Sequence, residues 1–430
     1  MKILIQDGHV LDPLTGRDGT YDVLVEDERI AEIGEHICAE ADQTIDAKGC
    51  YVMPGFIDLH VHFRDPGLEY KETLATGGRA AVRGGVTSVC AMPNTKPVID
   101  TGAKVEEVQR RAKEESLTHI YQLGSVTMGQ IGESLSDIRG MAEKGCVGLS
   151  EDGKSVMNAS LYRKGMKLAK EAGMVVFAHC EDITMVEGGV MNAGSKAEEL
   201  GLKGITNSVE DVIAARDILL AKETGVKLHL CHCSTRDSVE MIRAAKKEGL
   251  FVTGEVCPHH FTLTTDDITE DHGNFKMNPP IRSREDVDAL IRGLQDGTMD
   301  VISTDHAPHA AAEKNLSMKS AAFGIVGIET SAALTYTELV DKGILTPMQM
   351  AEKMSYNPAK ILGLTEKGSV SEGKIADIVI FDPDKEYRID KESFFSKGKN
   401  TPFHGRKVKG EVVCTLAGGR VVYEGGRIID

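Results

Sequence analysis

The sequence predicts an α/β fold in which a (β/α)8 TIM-like barrel is joined to a small β-sandwich domain. Two observations indicate this fold. The central part of the chain alternates short apolar runs with longer segments of helical periodicity, and both chain ends instead show the alternation of antiparallel strands. The chain has 430 residues. Since barrel domains commonly reach about 250 residues or more, one large domain and a small remainder account for that length.

The two chain ends have the pattern of half-buried strands. KILIQDGHVLDP, YDVLVEDERIAEIGE and TIDAKGCYVMPG lie near the start, and KIADIVIFDP and EVVCTLAGGRVVYEGGRI lie near the end. They alternate apolar and polar residues around DG, GG and EGG turns. We expect residues 1–53 and 366–430 to form one small β-sandwich domain, with residues 54–365 inserted as the barrel.

Eight apolar runs between these ends are candidate barrel strands. They begin at Phe56, Gly85, His119, Cys146, Met174, Lys227, Leu250 and Asp300. Segments between them, such as AKVEEVQRRAKEES and SVEDVIAARDILLAKETG, carry apolar residues at helical spacing. Eight strands with crossovers is the number in a closed barrel. An open doubly wound sheet is the alternative, but no G-x-G-x-x-G follows an early strand, so dinucleotide binding has no support.

The charge and the distribution of apolar residues argue against two classes of partner, nucleic acids and membranes. Lys+Arg total 50 and Asp+Glu total 66, which gives a net charge of −16 at pH 7. Proteins that bind nucleic acids place clustered Lys and Arg against phosphates, so we expect no nucleic-acid partner. No run approaches the ~18 apolar residues of a membrane span, and the start lacks the apolar core of a secretory signal. We therefore expect no membrane association and a cytoplasmic protein.

Polar residues collect at the carboxyl ends of the predicted strands, where barrels of this kind carry their catalytic residues. They are His60, His62, Asp152, His179, His232 and Asp305. Imidazole and carboxylate suit zinc or a similar divalent ion, and more than four ligands suggests two metals that share a carboxylate. Each residue alone could be an ordinary polar residue or a helix cap. Six of them at matching strand ends favour a metal site.

The motifs around these residues are more specific than their spacing. PGFIDLHVHFRDPG, CAMPNT, HCED, HCS, PHH at 258–260 and STDHAPH at 303–309 together resemble the long-chain type I dihydroorotases of the amidohydrolase superfamily. The resemblance covers essentially the whole chain, including KGSVSEGKIADIVIFDP near its end. H-x-H alone marks only the superfamily. H-x-H-x-R-[DE]-P-G together with M-P-N and D-H-A-P-H is much more specific.

The resemblance implies an activity and a cofactor. The activity is the reversible hydrolysis of the cyclic amide of dihydroorotate to N-carbamoyl-L-aspartate, a step of pyrimidine biosynthesis, with a metal-bridged hydroxide as nucleophile. The cofactor is a pair of Zn²⁺ ions bridged by Asp152. One ion would be held also by His60, His62 and Asp305, and the other also by His179 and His232. Asp305 would in addition serve as the general base and acid.

The resemblance also implies a set of substrate-binding residues. Arg64, Asn94 and His309 would hold the substrate carboxylate, Asn278 would hold the ring amide, Phe323 and Gly324 would add backbone contacts, and His62 lies in the same binding segment. Arg64 can bind a carboxylate through two parallel hydrogen bonds, whereas Asn94 and Asn278 could instead shape turns. The chain is acidic and the substrate is an anion, so a local cluster of donors must supply recognition.

Several alternatives stay open on the sequence. Lys154, in SEDGK, could be a carbamylated bridging lysine as in hydantoinases, although Asp152 fits the bridge as in type I enzymes. An allantoinase or hydantoinase would not need the carboxylate clamp. A non-catalytic homologue that serves as a scaffold for aspartate transcarbamoylase would typically lack metal ligands, and all six are present here. Relatives are often dimers, so the resemblance implies a homodimer and a possible association with aspartate transcarbamoylase.

Overall fold

Strands occupy both chain ends and the core of the barrel in the computed structural model, which describes residues 1–429. In chain order they are β1 (Lys2–Asp12), β2 (Arg17–Glu26), β3 (Arg29–Gly34), β4 (Gln43–Asp46), β5 (Tyr51–Pro54), β6 (Phe56–Val61), β7 (Val86–Ala91), β8 (His119–Gln122), β9 (Gly148–Ser150), β10 (Val175–Ala178), β11 (Met191–Asn192), β12 (Gly204–Ile205), β13 (Lys227–Leu230), β14 (Val252–Val256), β15 (Val301–Ile302), β16 (Ile378–Arg388), β17 (Lys407–Ala417), β18 (Arg420–Glu424) and β19 (Arg427–Ile428).

The helices lie mainly between the barrel strands. They are α1 (Leu74–Arg83), α2 (Gly102–Glu115), α3 (Ile138–Glu143), α4 (Ala159–Glu171), α5 (Ser195–Glu199), α6 (Ser208–Thr224), α7 (Arg236–Lys247), α8 (Pro258–Thr262), α9 (Arg284–Gln295), α10 (Ala311–Lys314), α11 (Ser331–Thr335), α12 (Pro347–Ala351) and α13 (Asn357–Leu362). A π-helical segment, Tyr336–Val340, continues α11, and a second one, Glu352–Tyr356, joins α12 to α13. The two helical segments predicted from the sequence are α2 and α6.

The predicted barrel is confirmed. Strands β6, β7 and β8 pair in parallel, and so do β9, β10, β13, β14 and β15. Parallel bridges between Gly124 and Leu149 and between Val61 and His306 join these two groups on either side. Each of the eight strands lies within its predicted segment. Closure brings the carboxyl ends of all eight to one face, where the polar residues of the sequence collect.

The two chain ends share one nine-stranded sheet, which confirms the predicted small β domain built from both ends. Its order is β19-β18-β17-β16-β5-β1-β2-β3, and β4 pairs with β1. The two ends meet where β5 and β16 pair antiparallel, with Val52 opposite Ile380. A bulge in β1 between Ile5 and Gly8 lets its first half pair with β4 and its second half with β5, consistent with a sheet that folds into a sandwich.

Apolar packing holds the barrel strands in place. A buried cluster joins Ile57 and Leu59 of β6, Cys90 of β7, Phe177 of β10 and Val301 of β15. Because such interiors are close-packed, they leave the strand ends little freedom to shift. The side chains that follow those ends are therefore presented by a rigid scaffold. Within residues 1–429, no helix combines the length and the apolar character that crossing a bilayer requires.

Candidate active site

The six predicted metal ligands lie together at the carboxyl end of the barrel. His60 and His62 come from β6, Asp152 follows β9, His179 follows β10, His232 follows β13 and Asp305 follows β15. All six side chains are buried. Residues that are 245 positions apart in the sequence therefore meet, because parallel strands of a closed barrel end on the same face.

The Asp152 carboxylate lies at the centre of this cluster. Its oxygens lie close to one nitrogen of each histidine: His60 Nε2 at 3.2 Å, His62 Nε2 at 3.3 Å, His179 Nδ1 at 3.4 Å and His232 Nε2 at 3.7 Å. Burial raises the pKa of Asp152, but the surrounding imidazoles outweigh burial and hold this pKa well below its ordinary value. The ionised carboxylate thus faces all four rings, which is the position that a bridging ligand needs.

Asp305 faces only the first two histidines. Its Oδ1 lies 3.0 Å from His62 Nε2 and 3.6 Å from His60 Nε2. Burial raises the pKa of Asp305, but His60 and His62 lower it by more than burial raises it. The resulting pKa is about 2. The group is therefore ionised at neutral pH and able to accept a proton at the cavity that it lines.

Three of the histidines are oriented by partners on their outward nitrogens. His60 Nδ1 lies 2.8 Å from Glu255 Oε1, His62 Nδ1 lies 2.9 Å from Asn94 Oδ1, and His179 Nε2 lies 2.9 Å from Glu181 Oε2. Because these oxygens accept hydrogen bonds, each outward nitrogen carries a proton. When a ring is neutral, its inward nitrogen then carries the lone pair that a metal ion would take up, which is the arrangement that metal-binding histidines have in proteins.

The inward atoms also fit a metal ion. His60 Nε2 and Asp152 Oδ1 are fully buried, and neither has a hydrogen-bond partner among residues 1–429. His60, His62 and Asp305 place one donor atom each within 4.8 Å of one another, and so do His60, Asp152 and His232. Orphaned buried polar atoms are rare in proteins unless a water or an ion satisfies them. The donor set of nitrogen and oxygen suits zinc.

Backbone strain coincides with this face of the barrel. Asp305, His232 and Arg64 have positive φ angles of 49°, 34° and 62°. A left-handed conformation at a residue other than glycine costs about 1–3 kcal/mol and persists where the surrounding structure enforces it, often at functional sites. Two of the predicted metal ligands and the predicted carboxylate-binding arginine are thus held in unusual conformations.

A cavity of about 190 Å³ opens above the cluster. Of the twelve predicted site residues, all but His60 line it, and His60 lies fully buried beneath. The lining residues outside the metal cluster are the predicted Arg64, Asn94, Asn278, His309, Phe323 and Gly324, together with Gly153 and Ala307. The structure therefore brings the predicted substrate-binding residues and the predicted metal ligands into one site.

Arg64 and His309 lie side by side at one edge of this cavity. The Arg64 guanidinium donates from Nε to the Pro308 carbonyl at 3.3 Å, and its Nη2 lies 3.3 Å from His309 Nε2. Arg64 is half-buried, and the structure shows no ion pair between it and a carboxylate among residues 1–429. A half-buried guanidinium that lines a cavity without a paired carboxylate is suited to binding an anion.

Asn94 and Lys154 occupy different positions relative to the cluster. Asn94 accepts from His62, and its Nδ2 donates to the Asp152 backbone carbonyl at 3.3 Å. The Lys154 ammonium instead donates to the Gln130 carbonyl at 3.0 Å and is not among the cavity-lining residues. The central position thus belongs to Asp152, and Asn94 orients one of the imidazoles around it.

Sequence reasoning missed two carboxylates that support the cluster. Glu255 lies fully buried in β14, where it accepts from His60 Nδ1 and from the His232 backbone N–H at 2.9 Å. Glu181 accepts from His179. A signal was present for Glu255, because an ionisable residue inside an otherwise apolar buried strand needs a partner. Glu181 lies two residues past His179 in HCED, and a second acid there resembles an ordinary loop residue.

Comparison with known proteins assigns the class. Residues 51–422 match the Amidohydrolase family, so the chain belongs to that family. Among curated relatives, the dihydroorotase of Pelotomaculum thermopropionicum is 49% identical over 424 residues, covering 99% of both chains. The dihydroorotase of Trichlorobacter lovleyi is 46% identical over 426 residues and covers 99% of this chain and 100% of its own. The resemblance inferred from the motifs is confirmed.

Solved structures support the fold. The L-hydantoinase of Arthrobacter aurescens superposes with a TM-score of 0.90 at 28% identity, covering 100% of this chain and 97% of that one. A dihydropyrimidinase from Brevibacillus agri superposes with a TM-score of 0.88 at 24% identity, covering 100% and 96%. The architecture of the chain is therefore that of amidohydrolase enzymes.

Proposed function

We propose that the chain is a metal-dependent dihydroorotase, which interconverts dihydroorotate and N-carbamoyl-L-aspartate in pyrimidine biosynthesis. The observation that carries the proposal is that Arg64, half-buried and without a paired carboxylate, lines the same cavity as the buried cluster of four histidines and two aspartates, of which only His60 lies beneath the cavity. Full-length relatives of 46–49% identity that are named dihydroorotases support it.

The proposed cofactor is two Zn²⁺ ions per chain, bridged by Asp152. His60, His62 and Asp305 would complete one site, and His179 and His232 the other. When bound, such ions lower the pKa of water toward neutrality and polarise a carbonyl oxygen. The outward partners Glu255, Asn94 and Glu181 hold three imidazoles in the tautomer that can bind metal.

Asp305 is the proposed general base and acid. It lines the cavity, is ionised at neutral pH, and lies on one side of the cluster. In the hydrolytic direction it accepts the proton of the attacking water and returns it to the leaving ring nitrogen. Such proton transfer contributes typically 10²–10⁴-fold to the rate. In the cyclising direction the same carboxyl group acts in reverse.

The proposed carboxylate site is formed by Arg64, Asn94 and His309, with Asn278 near the ring amide and Phe323 and Gly324 supplying backbone contacts. The net charge of −16 opposes the approach of an anionic substrate. Short-range hydrogen bonds from the Arg64 guanidinium would offset this repulsion, because ionic hydrogen bonds are about twice as strong as neutral ones. The clamp thereby favours a substrate that carries a carboxylate.

A hydantoinase or allantoinase activity is the alternative, since the solved structures of highest similarity include hydantoinases. Neither substrate class would use the clamp. The deciding experiment compares turnover of dihydroorotate, hydantoin and allantoin by purified, metal-replete protein. We expect clear preference for dihydroorotate. Preference for hydantoin or allantoin would overturn the proposal, and activity on none of them would favour the non-catalytic scaffold.

The metal assignment has its own test. Elemental analysis combined with intact-mass measurement of the holo-protein should give close to two zinc ions per chain. A CO₂ adduct on Lys154 would instead make that lysine the bridge and would contradict the assignment to Asp152.

The assembly and location are proposed from the resemblance alone. We propose a cytoplasmic homodimer that can associate with aspartate transcarbamoylase. Light scattering on the eluted protein measures the oligomeric state, and co-elution with purified aspartate transcarbamoylase measures the association. A monomeric mass would contradict the first part, and independent elution the second.

A further inference from the structure

His309 is held at both ring nitrogens by groups outside the metal cluster. Its Nε2 lies 2.8 Å from the Phe323 carbonyl oxygen, and its Nδ1 lies 3.2 Å from Lys71 Nζ. Arg64 Nη2 also lies 3.3 Å from Nε2, and because a guanidinium only donates, this longer contact is not a hydrogen bond when Nε2 is protonated. His309 and Phe323 line the cavity, whereas Lys71 is not among its lining residues.

These contacts select one tautomer of the neutral ring. A carbonyl oxygen only accepts hydrogen bonds, so the short contact with Phe323 requires a proton on Nε2. The lone pair is then on Nδ1, and an ammonium group only donates, so Lys71 satisfies it. The Nε2–H therefore lies beside Arg64 as a hydrogen-bond donor. A substrate carboxylate can accept from it, either in place of the Phe323 carbonyl oxygen or together with it.

Glu313 would favour the opposite tautomer. Its Oε2 lies 3.5 Å from His309 Nδ1, so it could accept a hydrogen bond from a protonated Nδ1. Lys71 Nζ is 2.8 Å from Glu313 Oε1, and the Lys71 side chain is only 11% exposed. Tyr70 also donates to Glu313, at 3.1 Å. Lys71 therefore neutralises the carboxylate that competes for the His309 proton.

We propose that Lys71 is a positioning residue for recognition of the substrate carboxylate, because it keeps His309 in the tautomer that presents Nε2–H to the cavity beside Arg64. This proposal rests on the proposed function, since it assumes an anionic substrate in this cavity. Lys71 does not bind the substrate itself. It acts through His309 and through the neutralisation of Glu313.

The charges around His309 agree with a neutral ring. Burial lowers the pKa of His309, and the cations Arg64, Lys71 and Lys314 lower it further. Glu313 opposes them, and the resulting pKa is about 3. Removal of Lys71 takes away one repelling cation and the only cation in the structure's described residues that forms an ion pair with Glu313 other than His309 itself, so the pKa of His309 rises. Above that new pKa the proton moves to Nδ1, and Nε2 becomes an acceptor that repels a carboxylate.

The kinetic test uses full-length, metal-loaded Lys71→Met. We expect KM for dihydroorotate to rise roughly 10-fold, as for a lost hydrogen bond to a charged group, while kcat changes by less than about threefold. The KM of this variant should fall as the pH is lowered and imidazolium forms, because Nε2–H then returns. Lys71→Arg keeps a cationic donor and should restore KM to within about threefold of the wild type.

Lys246→Met is the matched control. Lys246 is also a partly buried lysine in an ion pair, 2.6 Å from Asp300, but it belongs to α7, and Asp300 precedes the amino end of β15, away from the site at the carboxyl ends of the strands. Its loss should leave KM unchanged. Metal content should be equal in all variants, which separates an effect on carboxylate binding from damage to the metal cluster.

A spectroscopic readout is independent of turnover. In histidine-selective ¹⁵N spectra, with the His309 signals assigned by their loss in His309→Gln, the wild type should show a protonated Nε2, and Lys71→Met should show Nδ1 protonation. Should Lys71→Met not fold, Lys71→Gln provides the same comparison of signals and KM. An unchanged tautomer with unchanged KM would overturn the role of Lys71. Wild-type protein inactive on dihydroorotate would instead overturn the proposed function, and the spectra would still report the tautomer.

Discussion

At the scale of single residues, the imidazoles of the site are prepared for metal binding by the oxygens behind them. His60 and His179 each donate to a buried glutamate, and His62 donates to Asn94. Each ring is thereby fixed in orientation and tautomer before a ligand arrives. Removal of such outer partners typically costs 10–100-fold in metal affinity or activity, so Glu255 belongs to the machinery of the site even though it touches no substrate.

Asp305→Ala is expected to abolish turnover, with kcat lower by at least roughly 10²-fold, because the variant loses its proton acceptor and donor. Substantial metal should remain, since Asp152 and the four histidines are unchanged. Steady-state kinetics and elemental analysis on the same preparation measure both effects. Asp384→Ala, at an aspartate whose side chain is 89% exposed in the chain-end domain, is the control. Wild-type kinetics in Asp305→Ala would show that Asp305 is not the general base and acid.

Arg64→Ala is expected to weaken substrate binding more than chemistry. KM should rise roughly 10–100-fold, as for hydrogen bonds to a charged group, with a smaller effect on kcat. Initial rates over a range of dihydroorotate concentrations measure the two constants. Arg110→Ala removes an exposed arginine that pairs with Glu107 and Glu114 on α2 and should have no effect. An unchanged KM in Arg64→Ala would contradict the carboxylate clamp.

At the scale of secondary-structure elements, the sequence predicted the eight barrel strands and the long helices because their periodicities differ. Short elements outside the eight barrel strands were not predicted. Strands β11 and β12 have two residues each, and α8 has five. Such elements are stabilised by tertiary contacts more than by local propensity, so a window of sequence contains little of the signal. The six ligands could be predicted because each lies at a strand end that the periodicity marks. Lys71 could not be predicted, because its role depends on a tertiary contact with His309, which lies 238 residues away in the sequence.

One buried arginine links several of these short elements. Arg282 donates to Ser234 after β13 at 3.0 Å, to Asn192 of β11 at 2.9 Å and to the Ile205 carbonyl of β12 at 3.2 Å. Its Nη2 lies 3.6 Å from Glu210 of α6, which is also buried. Arg282→Met leaves that carboxylate with fewer partners, and removal of one member of a buried pair costs about 3–5 kcal/mol.

We therefore expect Arg282→Met to lower the thermal midpoint of the metal-loaded protein markedly. Arg236→Met is the matched control, because Arg236 forms exposed ion pairs with Asp237 and Glu285, and such pairs contribute about 0–1 kcal/mol. Differential scanning calorimetry at one metal concentration compares the two. Equal midpoints for both variants would show that Arg282 does not hold these elements together.

At the scale of the whole molecule, we propose that residues 1–53 and 366–430 form one folding unit around the inserted barrel. Ile3, Val23 and Val52 from the first part share a buried cluster with Ile378 and Leu416 from the second. Burial of apolar surface contributes about 25 cal/mol per Å². An interface made of a continuous sheet and a shared core should therefore hold the two parts together without the covalent connection.

A cut between Thr365 and Glu366 tests this proposal, since both residues are exposed and the cut separates the second part from the barrel. With a protease site introduced there, we expect cleaved protein to elute as one species under native conditions and to give two fragments only after denaturation. Its activity should persist, because the segment containing Asn400 still donates to the Ala307 and Gly324 carbonyls, both at 3.1 Å, beside the cavity. The same variant left uncut is the control. Native release of residues 366–430 as an independent fragment would show that the two chain ends do not share one core.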